Sequence, residues 1–408
     1  MEHRMRRRYQ IPVWIICFIL FMFSAGETQA KKCTDFEEFA SAAGKLVRDR
    51  ACVGSQRSAS LGKWDSGRLI VQAKGRFDPS KYGPETVIEG PDKLFVLQFA
   101  SSSKARSAYR KIVSGEKIVF AEPDFVHLAA SVSQQASVNT LSYGASVTGL
   151  ADYSMRLSVP SSRKVTVAVV DSGVNSHSFL AGRLKKGYDF VEMDTTANDM
   201  TGHGTHVSGI IVDSTPNLNV KILPVRVLDS KGEGYNLIIG LGIRYAAEKG
   251  AKIINLSVSG EHSSFIDGCV RYAVSKGCVV CVAAGNEGTK IKKKTACPGH
   301  MTGKGIITVG SVSATFQRSA FSNYGSSLDI MAPGELILST WRNRDFEIAS
   351  GTSMSVPYVS AAAAVYKLQY PSLGASGIKK CVLRSTVDMG EKGRDNYYGL
   401  GRLMMPGN

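Results

Sequence analysis

Residues 165–174 read Val-Thr-Val-Ala-Val-Val-Asp-Ser-Gly-Val, an uncharged, mostly apolar run that ends abruptly on Asp171. Similar runs follow from Lys221 to Val227, Ile253 to Val258 and Cys278 to Ala284, and the segments between them carry helical spacing: a helix from about Gly204, then Leu237 to Lys249 and Ile266 to Lys276. Short, continuously apolar strands alternating with helices predict an α/β domain of three layers, a mainly parallel sheet covered by helices on both faces. Sheets of this kind hold ligands beyond the carboxyl ends of their strands. Asp171, Ser257 and Asn286 all follow strand runs, and so become candidates for a site.

Upstream the pattern changes. Asp35 to Arg50 has helical spacing, Arg68 to Ala73 and Lys93 to Phe99 read as strands, Ser101 to Val113 as a helix and Lys117 to Ala121 as a strand. This predicts a small α+β domain over 31–133. The Ala-, Ser-, Gln- and Val-rich stretch from Ala129 to Asn139 reads as a linker. At the start of the chain Arg4, Arg6, Arg7 and Arg8 precede an apolar run from Ile11 to Phe23, the charged and apolar regions of a secretory signal over 1–30, with Ala30 at the cleavage point. An uncleaved anchor is the alternative, since the run is only somewhat short of a spanning helix.

With 408 residues and 43% hydrophobic content the chain can bury a large core, and its 41 glycines and 21% charged residues fit neither a disordered nor a fibrous protein. The net charge of +16 could suit nucleic acid. Apart from the cluster Lys290, Lys292, Lys293 and Lys294, however, the cations are dispersed, with no interleaved aromatic rings to stack on bases. No nucleic-acid partner is expected. The cysteines are Cys17, Cys33, Cys52, Cys269, Cys278, Cys281, Cys297 and Cys381. Cys278 and Cys281 mimic a metal-binding pair, but residues three apart on a strand point to opposite faces, so they read as core residues.

Three polar residues suggest chemistry. A serine nucleophile needs a histidine to take its proton, and the histidine needs a carboxylate to fix its tautomer. Asp171 ends the first apolar run, His203 lies in Gly-His-Gly-Thr-His-Val-Ser-Gly, and Ser353 lies in Ser-Gly-Thr-Ser-Met-Ser-Val-Pro. Singly, each has a plain structural reading, as a turn residue, one of two histidines (His203 and His206) or a helix start. The histidines are three apart and lack the glutamate of a zinc-peptidase motif, so no metal ligand is expected among the site residues. The order Asp, His, Ser differs from the chymotrypsin and α/β-hydrolase orders.

The stretches Val-Ala-Val-Val-Asp-Ser-Gly-Val, Gly-His-Gly-Thr-His-Val-Ser-Gly, Ala-Ala-Gly-Asn-Glu-Gly, Met-Ala-Pro-Gly and Gly-Thr-Ser-Met-Ser-Val-Pro resemble, in order, the signature blocks of the subtilisin family of serine proteases. The resemblance spans roughly Ser142 to Leu400. It implies a secreted serine endopeptidase in which Ser353 attacks, His203 acts as base and then acid, and Asp171 orients His203. Asn286 would join the Ser353 N–H as oxyanion donor. Gly232, Glu233, Gly234 and Tyr235, together with Ser257, Val258, Ser259 and Gly260, would line the substrate, and Ala283, Ala284 and Gly285 would bound the specificity pocket.

The resemblance also makes residues 31–133 a propeptide that assists folding and blocks the cleft until its own enzyme cuts it off, the boundary falling between Ala129 and Asn139, and 134–408 the catalytic domain. The enzyme would be a monomer acting on proteins or peptides. Its chemistry needs no cofactor, and Ile210 to Val220 lacks the calcium loop of many members. Ser355, Val356 and Tyr358 replace commoner residues after the nucleophile, all compatible with a buried helix start. An inactive family member serving as a binding module should have lost a triad or oxyanion residue, and none is lost. A nucleotide-binding α/β protein should carry a Gly-rich phosphate loop after the first strand, which is missing.

Overall fold

The apolar runs form the middle of one large sheet, and the upstream pattern forms a second, smaller one. The computed structural model describes residues 28–51, 66–129, 132–134, 143–293 and 296–407. The leader expected from Arg4 to Phe23, with Cys17, and likewise Cys52 and Lys294, lie outside the described residues.

The small domain runs β1 (Gln29–Lys32), α1 (Phe36–Ala51), β2 (Arg68–Ala73), β3 (Thr86–Glu89), β4 (Leu94–Gln98), α2 (Ser102–Gly115) and β5 (Ile118–Pro123). Its strands lie in the order β1-β3-β4-β2-β5. Alternation along β2 feeds two cores. Leu69 and Val71 pack with Ala105, Ala108 and Ile112 of α2, whereas Ile70 packs with Phe36 and Phe39 of α1 and with the large domain. Ala30 pairs with Val87 inside β1, so a cut after Ala30 would divide a strand of this sheet.

Two short strands, β6 (Val126–Ala129) and β7 (Val132–Gln134), lead from the small domain towards the large one. There the order is α3 (Tyr143–Val147), α4 (Leu150–Arg156), β8 (Val165–Asp171), β9 (Tyr188–Asp189), α5 (His203–Asp213), β10 (Val220–Arg226), β11 (Glu233–Tyr235), α6 (Asn236–Glu248), β12 (Ile253–Leu256), β13 (Val258–Gly260) and α7 (Ser264–Ser275). The chain continues through β14 (Val279–Ala283), β15 (Ile306–Val312), β16 (Ile330–Pro333), β17 (Ile337–Thr340), β18 (Phe346–Ser350), α8 (Thr352–Gln369), α9 (Ala375–Arg384), β19 (Thr386–Val387) and β20 (Arg402–Leu403).

Nine of these strands form the large sheet, in the order β19-β20-β16-β15-β14-β12-β8-β10-β9. All its pairings are parallel except the antiparallel β19–β20 edge. Val167 and Val169 of β8 face a core shared with α5, α8 and α9, and Ala168 and Val170 face one shared with α6 and α7. The expected three layers are thus present. Cys281 belongs to the first core and Cys278 to the second. Burial pushes their thiols up to about 11 for Cys278 and about 12 for Cys281, so both remain protonated.

The expected linker is different in the structure. Ala129 ends β6, which pairs with β11 and β13, and Val132–Gln134 form β7, which pairs with β18. These residues have no strand pattern of their own because the edges of other strands supply their hydrogen bonds, and such pairing depends on main chain alone.

Candidate active site

The central strands β14, β12 and β8 are neighbours, and the polar residues at their carboxyl ends therefore converge. Asp171 is the last residue of β8, Ser257 lies between β12 and β13, and Asn286 follows β14. Two helices bring the remaining groups: His203 is the first residue of α5 and Ser353 the second of α8.

His203 Nδ1 lies 2.7 Å from Asp171 Oδ1, both side chains being buried. Burial alone would depress the imidazole, but the Asp171 carboxylate outweighs it, and the basicity is raised above the ordinary 6.5. Asp199, which sequence reasoning missed, builds the start of α5. It accepts hydrogen bonds from the N–H groups of Thr201, Gly202 and Thr205 and from the hydroxyls of Ser172 and Thr205. An Asp four residues ahead of the helical His203 was the available signal. Gly202 precedes His203 at φ +101°, and a side chain there would also strike the Trp341 ring. His206 is a structural neighbour: its Nε2 lies 3.0 Å from the Ile337 carbonyl and 3.1 Å from that of Glu347, and burial lowers it to about 3.

Ser353 is fully buried, and its hydroxyl donates to the Ser257 carbonyl at 3.1 Å. His203 Nε2 is buried without a hydrogen-bond partner among the described residues. A polar chain fixes α8 on β12: Ser360 donates to Asn255, Asn255 to the Ser257 hydroxyl, and that hydroxyl to the Ser353 carbonyl. Asn286 Oδ1 accepts from the Thr352 N–H at 2.9 Å and the Thr352 hydroxyl at 2.8 Å. The carbonyl end of the amide is thereby held against the start of α8.

The cleft beside these groups is filled by the protein's own chain. β6 lies antiparallel between β11 and β13, with His127 opposite both Gly234 and Gly260, and Ala129 opposite Val258. A side chain at Gly260 would meet the His127 ring at 2.6 Å, so only glycine lets the two strands approach this closely. Further along, Val132 of β7 pairs with Ser350, three residues before Ser353. All of Gly232, Glu233, Gly234, Tyr235, Ser257, Val258, Ser259 and Gly260 lie along or next to this three-stranded arrangement, with Ala283 and Ala284 buried behind it.

The small domain also caps two helices of the large one. Asp124 Oδ1 accepts from the Leu237 N–H at 2.9 Å, at the start of α6. Glu122 accepts from the Ser263 hydroxyl and from the N–H groups of Ser264 and Phe265, at the start of α7. Carboxylates are favoured at these positively polarised ends. Asp124 is in turn held by Arg68 at 2.8 Å, fully buried, and Arg68 stacks over the Tyr235 ring.

An α/β sheet that presents a buried Asp–His pair and a serine at a helix start, beside a groove already holding a strand, is the framework of a serine endopeptidase. The sequence model of the subtilase family matches residues 162–401. The chain is 34% identical over 366 residues to the thermophilic serine proteinase of Bacillus sp. (strain AK1), covering 85% of this chain and 88% of that one. It is 38% identical over 247 residues to thermitase of Thermoactinomyces vulgaris, covering 58% and 85%. A crystal structure of a cold-adapted subtilisin-like serine proteinase superimposes with a TM-score of 0.55 at 32% identity, covering 60% of this chain and 89% of that one. This chain belongs to the subtilase family and is a serine endopeptidase, acting on protein or peptide substrates. Among the described residues no helix is long and apolar enough to cross a membrane.

Proposed function

We propose that the chain is the precursor of a secreted, monomeric serine endopeptidase that processes itself, with Asp171, His203 and Ser353 as the triad and Asn286 as oxyanion donor. In the reaction Ser353 Oγ bonds to the scissile carbonyl carbon while its proton passes to His203 Nε2. The carbonyl oxygen, now negative, is met by the Asn286 NH₂ group and the Ser353 N–H at the positive end of α8. Collapse breaks the C–N bond, His203 returns the proton to the leaving amine, and water releases the acyl group by the same steps in reverse. Asp171 keeps the Nδ1 proton in place throughout.

The single observation that carries this reading is the position of β6, threaded antiparallel between β11 and β13 as a substrate strand would be. Because β6 ends at Ala129 and β7 starts at Val132, the bond cut lies between these residues, and we take the middle one, Ala130–Ser131. Residues 31–130 are then the propeptide, and the catalytic domain begins at Ser131, a few residues earlier than the 134 expected from sequence. Ala283, Ala284 and Gly285 bound the pocket for the side chain before the cut. Export is supported by the leader composition. Of the relatives, one is an extracellular serine proteinase of Thermus sp. and another a cell wall-associated protease of Bacillus subtilis.

The test is to express the full chain with and without Ser353→Ala in a protease-deficient host and to follow intact mass. The parent should separate into two fragments with a new N-terminus at Ser131, and the variant should stay whole. Equal processing of both would overturn self-cleavage.

A further inference from the structure

Away from the triad, three side chains from three separate segments meet. His262 lies in the turn between β13 and α7, Asp267 on the first turn of α7, and His300 in the connection from β14 to β15. We propose that they bind one divalent transition-metal ion of the zinc class, which braces the substrate-lining strand against the wall of the specificity pocket.

Asp267 Oδ2 lies 3.4 Å from His262 Nε2 and 3.3 Å from His300 Nε2, and the three donor atoms lie within 4.8 Å of one another. Tetrahedral zinc with bonds of about 2.0–2.1 Å to nitrogen and oxygen sets neighbouring ligand atoms roughly 3.3–3.4 Å apart. Two of the three edges already have that length.

His300 has an acceptor at each ring nitrogen, the Ala296 carbonyl 3.4 Å from Nδ1 and Asp267 Oδ2 3.3 Å from Nε2. In the tautomer that donates to the carbonyl, Nε2 turns a lone pair towards Asp267, and this is the form that binds a metal. The Cys297 thiol donates towards Asp267 Oδ1 at 3.8 Å, leaving Oδ2 to face the two rings. His262 Nε2 is buried with no hydrogen-bond partner among the described residues. With both rings in the ligating tautomer, the lone pairs of two imidazoles and a carboxylate face one point, which a cation between them would stabilise. The carbonyl behind His300 is the usual outer partner of a metal-bound histidine. Arg271 Nη1, 3.9 Å from Asp267 Oδ2, is the competing cation, but its side chain is 64% exposed and free to leave.

The position gives the ion a task. Gly260 and Cys297 exchange two backbone hydrogen bonds, of 3.2 and 3.0 Å, joining the end of β13 to the segment containing Gly299. A Cβ at Gly299 would meet the Ala283 carbonyl at 2.5 Å, so this segment lies directly on the pocket wall. His262 and His300 follow the two ends of that bridge, and an ion between them would lock it.

The test uses the full-length Ser353→Ala precursor, so that its outcome is independent of catalysis. After stripping with a chelator, the protein is titrated with zinc chloride and followed by calorimetry and thermal unfolding, with cobalt(II) as a visible-absorption probe. One equivalent should bind, raise the unfolding temperature and give the absorption bands of tetrahedral cobalt. His262→Gln and His300→Gln should each weaken binding about tenfold or more, and Arg271→Gln should not weaken it. No saturable one-equivalent uptake by the parent, or equal affinity in the doubly substituted protein, overturns the site. Should the histidine variants fail to accumulate, the parent titration alone decides.

Discussion

The Ser353 hydroxyl donates its hydrogen to the Ser257 carbonyl, a main-chain group of the segment that lines the substrate, and not to His203. The proposed nucleophile and base are therefore not joined in this arrangement, and self-cleavage requires the hydroxyl to turn from Ser257 to His203. A general base is worth on the order of 10²- to 10⁴-fold. An organophosphate should accordingly label the Ser353 of the uncut precursor at least a hundredfold more slowly, to that order, than that of the mature enzyme. Time-resolved mass spectrometry of both forms checks this, and equal rates would contradict it.

Asn286→Ala should lower kcat by about 10²- to 10³-fold with little change in KM, because the lost amide meets only the charge that develops during reaction. The Thr352 N–H and hydroxyl also lose their acceptor in this variant. Thr352→Val, which deletes only the hydroxyl bond, should cost less. Steady-state kinetics on a peptide substrate separates the two effects.

His203 must be neutral to accept a proton, and Asp171 raises its basicity above 6.5. The kcat/KM of the mature enzyme should therefore climb as pH rises through a value above 6.5 and fall away in acid. Asp171→Asn should lower kcat by about 10⁴-fold. Its remaining activity should extend to lower pH, since burial alone depresses the imidazole. A pH–rate profile of both proteins measures the shift.

His127 is fully buried between Gly234 and Gly260 with neither ring nitrogen bonded among the described residues, and burial lowers it to about 4. A histidine depressed on docking favours the docked state above its free value near 6.5, and that preference is lost as pH falls from there towards 4. Glu122, raised by burial to about 7, has the opposite sign, so the His127 part is isolated by comparing the parent with His127→Leu. Relative to that variant, the cleaved parent propeptide should lose affinity for its enzyme by about tenfold at pH 5.5 and on the order of a hundredfold at pH 4. Inhibition constants across this range provide the measurement.

Asp124→Ala leaves Arg68 buried without its partner and strips the cap from α6. Breaking one side of a buried pair costs about 3–5 kcal/mol. The yield of folded precursor should drop sharply, whereas activity per mature molecule should not change, because Asp124 has then been removed with the small domain. Active-site titration of the purified mature product distinguishes the two.

Much of this was legible from local patterns. The strand from Val165 and the helices around Leu237 and Ile266 carry periodicities set by burial on a known number of faces, and their observed bounds differ by only a residue or two. Asp171, His203 and Ser353 have plain readings singly and become legible only as an ordered set within family-like blocks, and the role expected of Asn286 comes from that resemblance. What escaped lies in the relations between distant segments. β6 and β7 have no pattern because the edges of β11, β13 and β18 define them. Thr352 matters only through Asn286, and His262, Asp267 and His300 are isolated polar residues in the sequence until the start of α7 meets the connection after β14.

The carboxylates of Glu122 and Asp124 cover the starts of α7 and α6 from outside the catalytic domain. If the small domain departs as proposed, both helix ends would be left bare, and with the vacated groove they would form a receptor for the same fold from any molecule. On that reading a freed copy would silence a neighbour that has already matured, and activity would become a matter of crowd size and dilution, switching on only as the released fragments are diluted or digested.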